Sequence, residues 1–130
     1  RFSIVVFGDD AKTWKEELTV ANDANKKAAS QWVNGLQWQP ATVTDKALEK
    51  AFSVAGVDTV YLFSDGIPER RVNGKNTDIP QDEVIAKAKQ LNLIRKMRIN
   101  CYGFATVSPA VRSFLQRLAT ENDGEYKDIR

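Results

Sequence analysis

A chain of 130 residues, 42% hydrophobic and 28% charged, is the size of one globular domain around one packed core. Its net charge of +2 gives no concentrated basic face for nucleic acid. With no histidine and one cysteine, Cys101, it has no internal disulfide, no Ser-His-Asp or Cys-His catalysis and no imidazole zinc site, and any metal would take oxygen ligands, as magnesium, calcium and manganese do.

Phe2 to Phe7 reads as a buried strand closed by Gly8-Asp9-Asp10. Lys12 to Lys15 reads as a short edge strand paired back through the Asp9-Asp10 turn, with charges that discourage further pairing. From about Asn22 the period becomes helical: Ala21, Ala24, Ala28, Trp32 and Leu36 share a face, Asn22 or Asp23 caps the start and Gly35 marks the end. A second helix opens at Thr42-Val43-Thr44-Asp45, with Thr44 as its expected N-cap and Leu48, Ala51 and Phe52 inward. Gly56 ends that segment.

Asp58 to Gly66 is the stretch around which the rest is arranged. Its apolar run Val60 to Phe63 is bounded by turn residues and reads as a strand buried on both faces, as in a parallel sheet covered by helices. In such sheets ligands bind beyond the carboxyl ends of the strands, which is where Asp65 falls. Ser64-Asp65-Gly66 is also readable as a plain turn. Gly66 to Pro80, rich in Pro, Gly, Asn and charge, is expected to be a long loop at that same end. A helix from about Gln81 to Ile94 follows, with Val84, Ile85, Ala88 and Leu91 inward. Met97 to Phe104 is the next strand, and Cys101 in it reads as an inert buried thiol. Ser108-Pro109 starts the last helix as cap and first residue, with Val111, Phe114, Leu115 and Leu118 as its stripe. Asn122-Asp123-Gly124 ends it, and Glu125 to Ile129 forms a final strand.

Buried strands alternating with amphipathic helices predict an α/β three-layer sandwich: a mostly parallel central sheet, one antiparallel edge strand and helices on both faces. No run approaches the roughly 20 apolar residues of a membrane span. The chain is expected to be a single domain over residues 1–130. It starts at Arg1 and passes directly into a strand with no signal-peptide pattern, so it reads as part of a longer polypeptide. Arg70-Arg71 and Arg95-Lys96-Met97-Arg98 read as solvated surface charge.

In order and spacing, four stretches resemble a von Willebrand factor type A domain, closer to the bacterial and intracellular branch than to the integrin branch. They are Phe2 to Asp9, Thr44-Asp45-Lys46-Ala47-Leu48, Tyr61-Leu62-Phe63-Ser64-Asp65-Gly66-Ile67-Pro68, and Phe114 to Ala119 leading into Gly124-Glu125-Tyr126. The resemblance implies a Rossmann-like fold and a divalent cation, Mg2+ or else Mn2+ or Ca2+, at the carboxyl end of the sheet. It implies Thr44 and Asp65 as metal-site residues and a protein ligand that completes the coordination through an acidic residue. Thr42 and Val43 stand where the family often has two glycines.

The family's Asp-x-Ser-x-Ser motif, with the first strand and helix that carry it, does not occur in this sequence. That strand lies between the ones at Phe2–Phe7 and Val60–Phe63. The expectation is that the segment belongs to a longer parent; supply by another chain is the alternative. The resemblance implies a protein-interaction module that is not an enzyme. The alternatives are a magnesium-dependent hydrolase or phosphotransferase using Asp65, and a structural domain of this fold without metal. Against the enzyme, no Gly-x-x-x-x-Gly-Lys or Gly-x-Gly-x-x-Gly pattern is present. Asp9 and Asp10 read as a hairpin turn and Glu69 as solvated, not as ligands.

Overall fold

The computed structural model of the protein describes residues 1–104 and 106–130. In chain order its elements are β1 (Val5–Phe7), β2 (Ala11–Thr13), α1 (Asp23–Asn34), α2 (Thr44–Ser53), β3 (Thr59–Ser64), β4 (Glu69–Val72), β5 (Lys75–Asp78), α3 (Gln81–Arg95), β6 (Arg98–Phe104), α4 (Pro109–Thr120) and β7 (Tyr126–Ile129). The expected α/β architecture is present. β3, β6 and β7 form a parallel sheet in the order β3-β6-β7, with Leu62 opposite Cys101 and Cys101 opposite Tyr126.

Two of the helix ends act as the sequence predicts. Asn22 caps α1, its side chain accepting from Asn25 N at 2.8 Å. Ser108 caps α4 by accepting from Val111 N at 3.3 Å, with Pro109 as the first helical residue. The left-handed Lys96 ends α3, and its N–H donates to Asn92 O. Arg95 is more than surface charge: its guanidinium donates to Phe52 O at 2.5 Å and Val54 O at 3.3 Å, satisfying carbonyls at the end of α2.

The core lies between the sheet and α2, α3 and α4. Leu48, Leu62, Val84, Ile99, Phe114 and Leu118 are among its members. Alternation along β3 decides which side chains reach it, since successive residues point to opposite faces. Leu62 and Ser64 are buried. Tyr61 and Phe63 are 60% and 51% exposed, so β3 is not covered on both faces as its apolar run suggests. The open face is aromatic: Phe63 stacks on Tyr102 at 4.9 Å between ring centroids, and Tyr61 lies 6.2 Å from Tyr102. The alanine stripe of α1 is likewise mostly exposed, and only Ala29 of that helix is buried.

Two further expectations are corrected. The segment 66–80 is not an open loop. β4 and β5 pair antiparallel, Arg70 opposite Thr77, around Asn73 (φ 50°) and Gly74 (φ 76°). Both turn residues adopt the positive φ that a tight two-residue hairpin turn requires, and Asn-Gly is the pair that tolerates it best. The hairpin is held at its base by Glu69 N donating to Thr42 O at 2.8 Å and Ile79 N donating to Pro68 O at 2.8 Å.

β1 and β2 form a two-stranded antiparallel sheet of their own, not hydrogen-bonded to β3. A cleft of about 510 Å³ lies between β1 and β3, lined by Ile4, Val5, Leu48, Ala51, Val60 and Leu62 among others. These are the two strands that the resemblance separates by one further strand.

Candidate functional site

The carboxyl end of β3 opens into a second cavity, of about 1130 Å³, whose lining includes Asp10, Thr42, Ser64, Asp65 and Gly66. Asp65 is exposed. Its carboxylate has no ion pair among the described residues. The turn that carries it is closed by Gly66 N donating to Ser64 Oγ at 3.4 Å. The loop ahead of α2 lies against this turn: a methyl group built on Gly66 would stand 2.9 Å from Thr42 Oγ1. The sheet end and the loop ahead of α2 thus share one rim.

Thr44 itself is only 1% exposed and does not line the cavity. It is the first helical residue rather than the N-cap. Val43 holds the cap position, without a side-chain cap hydrogen bond. Thr44 Oγ1 reaches back to Thr42 O at 3.4 Å. Thr42 O also accepts from Thr44 N at 2.8 Å and from Glu69 N at 2.8 Å, so the backbone of this loop is held from both sides.

Part of the charge at and near the rim is paired. Asp9 Oδ1 accepts from Ala41 N at 3.0 Å, and Asp9 Oδ2 pairs with Arg71 Nη1 at 3.0 Å. Lys46 stands 3.8 Å from Asp10 Oδ1. Arg70 bridges Glu83 at 2.5 Å and Asp45 at 3.8 Å. The hydrogen bond to Glu83 is the main reason its pKa is raised, and burial opposes that shift. Asp45 Oδ1 is buried without a hydrogen-bond partner.

Asp9 and Asp10 lie in the β1–β2 turn, where Asp10 Oδ1 accepts from Ala11 N at 2.9 Å, while the Asp9 carboxylate ties that turn to the loop ahead of α2 and to Arg71. Arg70 and Arg71, read from sequence as solvated, tie the β4–β5 hairpin to α2, α3 and the β1–β2 turn. Thr42 was not singled out by sequence reasoning. Its one visible signal was its place beside Thr44, where the family often has glycine.

The oxygen donors lining the rim cavity are the carboxylates of Asp10, Asp65 and Glu69 and the hydroxyls of Thr42 and Ser64, which suit a hard cation in kind. They form part of a site: no group of three or more Asp, Glu or Cys side chains among the described residues is placed to hold a metal.

Cys101 lies apart from the rim, buried in the core, and burial pushes its thiol from 9.0 up to about 12. The thiolate is the reactive form. Alkylation of the folded protein near neutral pH should therefore be slow, and should become fast on adding denaturant. The same raised pKa sets a stability contribution that is present below pH 9 and lost as pH climbs from there toward about 12. Rapid native-state labelling followed by mass spectrometry would contradict this.

Comparison with known proteins points one way. The family profile described as "von Willebrand factor type A domain" matches residues 1–128. Two human proteins are similar. Von Willebrand factor A domain-containing protein 3A is 29% identical over 125 residues, which is 96% of this chain and 10% of that protein. Von Willebrand factor A domain-containing protein 3B is 26% identical over 126 residues, 97% of this chain and 9% of that one. The chain thus spans about a tenth of the length of these relatives. A solved structure, "von Willebrand factor type A from Catenulispora acidiphila", superposes with a TM-score of 0.76 at 19% identity, over 99% of this chain and 29% of that one. At that identity it speaks for the fold. No helix among the described residues is long and apolar enough to cross a membrane.

Proposed function

Because the chain belongs to the von Willebrand factor type A family, whose domains generally mediate protein interactions rather than catalysis, we propose that it binds a protein ligand at the carboxyl end of its sheet through a divalent cation. The observation that carries this reading is the free, exposed carboxylate of Asp65, set beside Thr42 and Ser64 on the cavity at the end of β3. Asp65 would hold the cation, and Thr44 at the start of α2 would contribute a hydroxyl, directly or through water. A hard cation such as Mg2+ prefers oxygen donors and keeps several waters. It supplies an exchangeable position that an acidic side chain of the ligand can take.

Two donors make a weak site. The reading therefore includes a completing strand. An extended segment carrying the Asp-x-Ser-x-Ser motif would lie in the cleft between β1 and β3, pairing with both free edges and covering apolar surface on Val60 and Leu62.

The test is calorimetric titration of Mg2+ and Mn2+ into the natural polypeptide that carries this chain, against its Asp65→Ala variant. Binding in the wild type and a loss of about tenfold or more in the variant are expected, since even supporting groups of metal sites are worth 10–100-fold. Equal affinity in both, or none in either, overturns the metal-bridged reading. Phosphoester turnover dependent on Asp65 would replace it with an enzyme.

A further inference from the structure

We infer that Trp38, with its apolar neighbours on the rim cavity, selects the protein ligand, and that the segment it selects carries an acidic residue flanked directly by a large apolar side chain. This rests on the metal-bridged reading above and names the chemistry of the partner's contact segment. Three observations carry it. First, the Trp38 indole is 85% exposed and lines the cavity that holds Asp65. Second, Val33, Phe63 and Ile67 line the same cavity and are exposed as well. Third, the backbone is pinned directly after the indole. Gln39 Oε1 accepts from Asp9 N at 3.0 Å, and Ala41 N donates to Asp9 Oδ1 at 3.0 Å. Gln39 packs so closely on Gly8 that a β-carbon there would stand 2.5 Å from Gln39 Cβ.

Single exposed apolar side chains are ordinary on a protein surface, but several around one concavity mark a contact surface. Tryptophan supplies a large, stiff contact area and is over-represented among the residues that dominate interfaces. Presented from a pinned segment, it leaves little order to impose when a ligand arrives. Charge narrows the occupant further. Asp10, Asp65 and Glu69 line the cavity with a single cation, Lys12. A ligand with several acids would be repelled there, so one acid meets the metal and the adjoining side chain meets the apolar wall. A polar neighbour would leave that wall wet and gain nothing from it.

The experiment measures three probes by ligand-observed NMR titration in Mg2+: N-acetyl-aspartate amide, N-acetyl-Phe-Asp amide and N-acetyl-Asp-Phe amide. The protein is the natural polypeptide carrying this chain, as wild type, Trp38→Ala and Trp38→Phe, with thermal melts of each. At least one phenylalanine-bearing probe is expected to bind about tenfold tighter than the acid alone, the worth of burying one large apolar side chain. Trp38→Ala should remove that advantage, Trp38→Phe should keep most of it, and all three proteins should melt alike. Equal affinity for the three probes, or an advantage that survives Trp38→Ala, overturns this inference and leaves the Asp65 site standing. An advantage unchanged by chelating Mg2+ and by Asp65→Ala overturns the metal-bridged reading and with it the acidic half of this inference. No binding of any probe overturns both.

Discussion

Gly124→Ala is expected to destabilise the fold by about 3 kcal/mol or more, the upper end of what overpacking costs, and to lower Tm by roughly 10 °C or more. Gly124 closes the turn after α4, its N–H donating to Ala119 O at 2.9 Å. That turn lies directly on β6: Ile99 N donates to Asn122 O at 3.1 Å and Cys101 N to Glu125 O at 2.9 Å. A β-carbon on Gly124 would stand 1.8 Å from Ile99 O and 2.4 Å from Ile99 C. These are backbone atoms of the middle strand of the β3-β6-β7 sheet. They cannot rotate aside as a side chain would, and moving them breaks the register on both neighbours. A chemical melt should show the shift. A midpoint within the error of the wild type would mean that the turn can lift off the strand without cost.

Phe114→Ala should destabilise by about 3–5 kcal/mol, the range for truncating a large aromatic in a packed core. Phe114 is 2% exposed, on the face of α4 that also carries Val111, Leu115 and Leu118. It sits in the same cluster as Val84 and Ile85 of α3 and Ile99 and Cys101 of β6. Deleting the ring leaves a void that these neighbours fill only in part, so the lost burial and the lost contacts add. For a domain holding roughly 5–15 kcal/mol, that loss can leave it partly unfolded at working temperature. Gln116→Ala, on the exposed side of the same helix, should stay within about 0.5 kcal/mol. Equal effects at the two positions would mean that α4 does not pack as described.

The caps at Asn22 and Ser108 and the stripe of α4 were legible because the interactions that set them are local. A cap is decided within three residues and a helix face within two turns. The hairpin of β4 and β5 was legible in principle. Asn73-Gly74 is a strong two-residue turn signal, masked here by flanks that are charged and fully exposed along β5 instead of alternating. Apolar content alone misleads for β3. Val60 to Phe63 has the composition of a strand buried twice over, yet Tyr61 and Phe63 face outward. Which faces are covered depends on elements far away in the chain.

The candidate site divides in the same way. Asp65 follows from a rule about where strands end, and the structure sets its carboxylate on the rim cavity. The Thr44 carry-over rests on a sequence pattern, and burial turns its hydroxyl inward while bringing Thr42 to the cavity instead.

By itself, then, the chain's order of residues determined the four helices, the strands outside the β4–β5 hairpin, their succession and the α/β class. All of these follow from periodicity and short-range capping. Only the tertiary structure decided that β1–β2 and β3–β6–β7 stand apart across an apolar cleft, that the Pro68–Pro80 segment is a clasped hairpin, and which of two threonines meets the Asp65 turn. Those outcomes depend on pairing and packing between residues tens of positions apart, whose relative placement no local pattern encodes.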